Sequence, residues 1–145
     1  MDIQLINDNL LSALHWKARE NERKRINFDL RTTQADTSQR MLNALEPGTQ
    51  VPVHRHLQSS ETIVCLEGCF DEVLYEELPN IDAGGLILKD NETVADRNNF
   101  VEVARYRICP TEKKYGIQIP QGVWHTIEVH EPSVIFEAKD GAYKE

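Results

Sequence analysis

Apolar residues in this chain never run on for long, and that limits the fold more than any other feature. The longest runs span only a few residues, such as Ile63-Val64-Cys65-Leu66, far short of the ~20 that a membrane helix requires. From about Arg31 onward, short apolar segments alternate with turn residues. Gln39–Leu45, Thr49–His56, Glu61–Leu66, Phe70–Tyr75, Phe100–Ile108, Tyr115–Ile119, Trp124–Val129 and Ser133–Ala138 read as strands. Many short strands separated by turns predict an all-β barrel or sandwich rather than βαβ units. Glu46-Pro-Gly-Thr49 reads as a turn, and Glu67-Gly68 between two apolar runs reads as the turn of a hairpin. Pro52 suggests an edge or a bulge in its strand. Leu78–Asn99 is looser, although Gly85-Leu-Ile-Leu-Lys89 could pair as a strand, and the last residues from Asp140 read as a frayed tail or short latch.

One segment differs. Leu10, Leu11, Leu14 and Ala18 recur at three- and four-residue spacing, which predicts a helix from Asp8 to about Lys24 capped by Asn7 or Asp8. His15 and Trp16 lie on it as packing or surface residues. The expected organisation is one domain: an N-terminal helical arm over residues 1–30 packed on a barrel over residues 31–145.

The formal charge of −8 weighs against nucleic acid as the main partner. A locally basic segment, Lys17–Arg25, reads as a solvated helix end, the alternative being a contact for an anionic group. The N-terminus MDIQLINDNLL has no basic region ahead of an apolar stretch, so the expectation is a cytoplasmic protein. Three cysteines, Cys65, Cys69 and Cys109, do not suggest a disulfide framework. Cys65 and Cys69 lack the further ligands of a structural zinc site, and all three read as small core hydrophobes.

The chemistry concentrates in Gly48-Thr-Gln-Val-Pro-Val-His54-Arg-His56-Leu-Gln-Ser-Ser-Glu61. Alternation along a strand points His54 and His56 the same way and Arg55 the other. The four residues after His56 let the chain turn back and bring the Glu61 carboxylate beside two imidazoles. Pro120-Gln-Gly122-Val-Trp-His125 makes a sharp corner that can deliver a third imidazole from another strand. His130, five residues beyond His125, falls on the opposite face and reads as a surface residue.

These two segments resemble the two sequence motifs of the cupin superfamily. The first fits throughout: Gly48, five residues, His-x-His, a short gap, Glu61, six residues, Gly68. The second departs at its flanks, with Lys114 where a Gly is expected and Val129 where an Asn is expected, neither of which supplies a ligand. Gln39–Thr49, Pro52–His56, Ile119–Thr126 and Phe136–Tyr143 are further similar to the WbuC family of cupin metalloproteins. That resemblance implies a double-stranded β-helix, a jelly-roll-like barrel with an N-terminal helix, holding one divalent transition metal through His54, His56, Glu61 and His125. Such a ligand set suits Fe, Mn, Ni, Zn or Co.

The resemblance also implies a small-molecule ligand and an association with bacterial surface-polysaccharide metabolism. A metal-dependent enzyme of undefined reaction, acting on a sugar or sugar-nucleotide, is the leading expectation. A metal-dependent dioxygenase and a non-catalytic binding module are the alternatives. Arg40, Trp124, Glu137 and Lys139 are candidate substrate-lining residues. Arg40 and Lys139 read equally well as surface ion pairs. Trp124 reads better as a core or rim aromatic, and Glu137 reads equally as an acceptor for a ligand imidazole N–H or as a solvent-facing residue. Single-barrel cupins pair through exposed edges or arms, so a homodimer is expected.

Overall fold

The computed structural model describes residues 2–78, 91–94 and 99–141, the stretch 91–94 as backbone only. Helix α1 (Asp8–Glu20) opens on Asn7, whose side chain accepts a hydrogen bond from the Leu10 N–H. It buries Leu11, Leu14 and Ala18. The helix ends a turn earlier than the apolar spacing predicts. Asn21 leaves helical geometry at φ −79° and ψ 141°, and Lys24 takes a left-handed φ of 58°. That reversal starts an unforeseen strand, β1 (Arg25–Asp29), so strands begin six residues before Arg31. Ile26 and Phe28 of β1 alternate inward against the apolar stripe of α1.

The remaining strands are β2 (Ser38–Leu45), β3 (Val53–His56), β4 (Glu61–Glu77), β5 (Asn91–Val94), β6 (Phe100–Ile108), β7 (Gly116–Ile119) and β8 (Trp124–Asp140). One pairing path runs β1-β2-β8-β3-β5, and β4 pairs with β6, β7 and β8. All these pairings are antiparallel. β3 is shorter than expected and begins just after Pro52, which has no N–H to give a ladder.

The hairpin expected at Glu67-Gly68 does not form. β4 continues through it to Glu77, paired to β8 from Glu61↔Lys139 to Tyr75↔Trp124. Its register shifts between Cys65 and Phe70, so the turn residues are absorbed as bulges that bend the strand. Gly68 has φ +110°, and a Cβ there would meet Pro132 O and Ser133 Cα, each at 2.6 Å. Only glycine permits that approach. On the other strand, the segments expected separately at Trp124–Val129 and Ser133–Ala138 are one continuous β8 for the same reason.

Both long strands therefore fold over at the same place. The start of β4 comes back against the start of β8, and Glu61 Oε1 lies 3.5 Å from His125 Nε2 although the two strands pair elsewhere. Leu45, Ile63, Phe70, Ile108, Ile119, Ile127 and Ile135 fill the interior. On the outside, α1 covers Leu42, Ala44 and Val134. The possible strand at Gly85–Lys89 and the end of the tail at Ala142–Glu145 lie outside the described residues.

Candidate metal centre

β3 places His54 and His56 on its inner face, and His54 stands directly across from His125 of β8. The ring centroids of His54 and His125 are 4.2 Å apart. Those of His54 and His56 are 5.2 Å apart, and those of His56 and His125 are 5.5 Å apart. One ring nitrogen from each of the three lies within 4.8 Å of the others. The corner before His125 is fastened to the end of β3. Gly122, at φ +83°, donates its N–H to His56 O at 2.8 Å, and the Gln121 side chain donates to Leu57 O. After the Leu57–Ser60 turn, Glu61 enters β4 with Oε2 3.0 Å from His56 Nε2.

Which nitrogens face the centre follows from their partners. His54 Nδ1 lies 3.0 Å from Pro52 O, and His125 Nδ1 lies 2.9 Å from Val123 O. A carbonyl oxygen only accepts, so both Nδ1 atoms carry the proton and both Nε2 atoms present lone pairs. His125 is 1% exposed, and its Nε2 has no hydrogen bond of good geometry among the described residues. Leaving such an atom buried costs about 1–3 kcal/mol, a cost that coordination would remove.

Burial, reinforced by the charge of His125, pushes His54 down to about 3, so its ring is neutral. Burial pushes the Glu61 carboxyl up. The neighbouring His125 and His56 rings more than offset this and hold it below the usual carboxylate range. Oriented neutral imidazoles beside a carboxylate form a donor set that fits a divalent transition ion. Such an ion supplies Lewis acidity and lowers the pKa of bound water.

The other expected residues separate by face. Glu137 is inside the barrel, but its carboxylate accepts from Asn43 Nδ2 at 2.7 Å rather than from a histidine. The Nδ1 protons of His54 and His125 go to backbone carbonyls instead. Lys139 is 9% exposed and donates from Nζ to Gly141 O at 2.7 Å. Trp124 lies on the opposite face of β8 from His125, with the Arg55 guanidinium 4.4 Å above its ring and Phe100 packed edge-on. It is an outer packing residue. Arg40 shares the outer face of β2 with Leu42 and pairs with Asp36 at 2.6 Å, the surface ion pair of its two readings. His130 is at the surface, 3.0 Å from Asp71 Oδ2.

One interior group escaped the sequence reading. Glu72 is 1% exposed, its Oε2 has no hydrogen-bond partner among the described residues, and burial together with the charges of Glu61 and Glu137 pushes its pKa well up. Burial, with the charge of Glu61, does the same to Glu137. Both carboxyls are therefore harder to ionise than an ordinary glutamate. The only trace of Glu72 in the sequence is its place in the inward alternation Phe70, Glu72, Leu74.

Residues 6–84 match the family model described as a domain of unknown function, DUF6016. The chain belongs to the DUF6016 family. Among curated proteins none matches this sequence. Solved structures with the same fold include the capsular polysaccharide assembling protein CapF from Staphylococcus aureus. It is 17% identical with a TM-score of 0.57, and the match covers 86% of this chain and 30% of CapF. The cupin domain of Schizosaccharomyces pombe Cnp3 is 11% identical with a TM-score of 0.53, covering 83% of this chain and 66% of that one. A putative sugar phosphate isomerase from Acidithiobacillus ferrooxidans is 17% identical with a TM-score of 0.52, covering 80% and 58%. This DUF6016 chain spans under a third of CapF and just over half of the isomerase. Its barrel is a cupin fold with an N-terminal helix, and none of its described helices is long and apolar enough to cross a membrane.

Proposed function

We propose that the barrel holds one divalent transition-metal ion through His54, His56, Glu61 and His125 and uses it on a small polar or anionic molecule, a sugar or sugar-nucleotide. The observation that carries this reading is the pairing of His54 with His125 across β3 and β8, with both Nδ1 protons tied to carbonyls and both Nε2 lone pairs turned inward. The interior beside these donors is polar, with the Glu72 and Glu137 carboxyls, the Asn43 amide and the Lys139 stem. Hydroxyl-rich ligands suit such a lining, because a hydroxyl both donates and accepts.

The similarity of Gln39–Thr49 and Phe136–Tyr143 to WbuC proteins supports a place in surface-polysaccharide metabolism. So do the fold-level likenesses to a capsular polysaccharide assembling protein and a putative sugar phosphate isomerase. We take the protein to act in the cytoplasm and to pair as a homodimer, which light scattering would test.

The deciding experiment combines metal analysis of untagged protein with ligand screening against sugars and sugar-nucleotides. His54→Ala and His125→Ala should each lose the ion and the ligand response while keeping the wild-type circular dichroism spectrum. Full retention of metal in both variants would overturn the site. Iron with ligand-dependent oxygen consumption would instead assign the dioxygenase reading. Stoichiometric binding with no product over long incubation would assign a binding module.

A further inference from the structure

The three cysteines, expected as separate core residues, converge at the far end of the barrel from the histidines. Cys65 and Cys69 flank the bend of β4, and Cys109 follows β6 at the start of a 3-10 turn, Pro110–Glu112. All three are buried. Cys109 Sγ lies 3.3 Å from the Thr111 hydroxyl. The Cys69 and Cys109 sulfurs and a Glu112 carboxylate oxygen lie within 4.8 Å of one another. Burial pushes the Cys65 thiol up to about 12, and its Sγ donates to Glu67 O at 3.2 Å.

The turn that carries Cys109 and Glu112 is tightly built. The Cys109 N–H donates to Lys114 O at 2.7 Å, the Glu112 N–H to Cys109 O at 2.8 Å, and Lys113 takes a φ of 63°. Arg107 Nη1 lies 3.8 Å from Cys69 Sγ and 3.6 Å from Glu112 Oε2.

We propose that Cys69, Cys109 and Glu112 form a second metal site, for a thiophilic divalent cation of the zinc class. Two sulfurs and a carboxylate oxygen are donor types that zinc takes. The sequence conceals the cluster because Cys69 is separated from Cys109 and Glu112 by most of β4, β6 and the segment between them. Packing alone does not call for an ionisable carboxylate and a guanidinium at the thiols. Glu112 is half exposed, which gives a cation a route in. Binding replaces the protons of the coordinating thiols, which pass to solvent as metal–sulfur bonds form. The guanidinium of Arg107 offsets the anionic charge that remains and can donate to a thiolate. The site would clamp the Cys109–Lys114 turn to the bend of β4, remote from the imidazoles. Sulfur donors would also let it choose a softer ion than they do.

Cobalt(II) titration of the reduced full-length protein tests this, because only thiolate ligation gives an intense near-ultraviolet charge-transfer band. The band should saturate at one equivalent per chain and persist in a His54→Ala/His125→Ala variant, which removes the other site. Cys69→Ser and Cys109→Ser should abolish it. Glu112→Gln changes an exposed side chain and leaves the core intact, so it should weaken cobalt binding by roughly tenfold or more. Zinc should raise the melting temperature of the His54→Ala/His125→Ala variant. The proposal is overturned if folded, reduced protein shows no thiolate band in excess cobalt, or if Glu112→Gln binds as tightly as wild type. It is also overturned if Cys69 and Cys109 are found only as a disulfide and, once reduced, bind no cation.

Discussion

His54 and His125 show how much of this site is decided by single atoms. Two backbone carbonyls, Pro52 O and Val123 O, fix which nitrogen of each ring faces the centre. The sequence motif names the candidate residues but says nothing of tautomers. Local spacing was enough to find His54, His56 and Glu61, because the spacing and the turn lie within one short stretch. It was not enough for Glu72 or for the cysteine cluster, whose surroundings come from distant parts of the chain. Gly68 is where a single side chain would do most damage. Gly68→Ala would set a methyl against Pro132 O and Ser133 Cα in a left-handed backbone conformation. We expect it to destabilise the protein by about 3 kcal/mol, read as a lowered midpoint in urea.

At the level of elements, α1 was legible because its apolar stripe and its cap are both local. Asn7→Ala removes the acceptor for Leu10 N–H and should cost about 1 kcal/mol of thermal stability with no change in metal content. The strands around the bend were legible as strands but not in their connection. Glu67-Gly68 has the composition of a hairpin turn, and only the approach of β8 at Ser133 converts it to a bulge within one strand. β1 was missed because five residues directly after a helix offer too little alternation to stand out. The faces of Arg40 and Trp124 were not legible for a related reason. Their faces depend on strand register, and a one-residue step exchanges inside for outside.

Over the whole molecule, buried charge makes opposing demands on pH. Burial raises the Asp71 carboxyl, but hydrogen bonds from His130, Arg107 and Arg105 hold it down to about 2. Its contribution, about 2 kcal/mol, is present above the unfolded value near 4 and is lost as pH falls through 2. Glu72 and Glu137 run the other way. Their folded carboxyls keep protons that the unfolded chain releases. Each therefore adds a penalty that is absent below about pH 4.5 and grows by about 1.4 kcal/mol per pH unit until the folded group ionises. Chelator-treated Glu72→Gln should melt higher than wild type at pH 8 and nearly level with it at pH 4.5. Equal melting temperatures at pH 8 would show that Glu72 is ionised in the folded protein.

The long pairing of β4 with β8 also bears on the order of events during synthesis. His125 follows His54 by 71 residues, and its strand is the partner that closes the sheet over β3 and β4 alike. A nascent chain therefore carries His54, His56 and Glu61 through much of translation with no third imidazole and no wall to hold them in place. On the metal reading proposed above, loading would wait until β8 has left the ribosome, and the ion abundant around the newly closed barrel would decide what the site takes up.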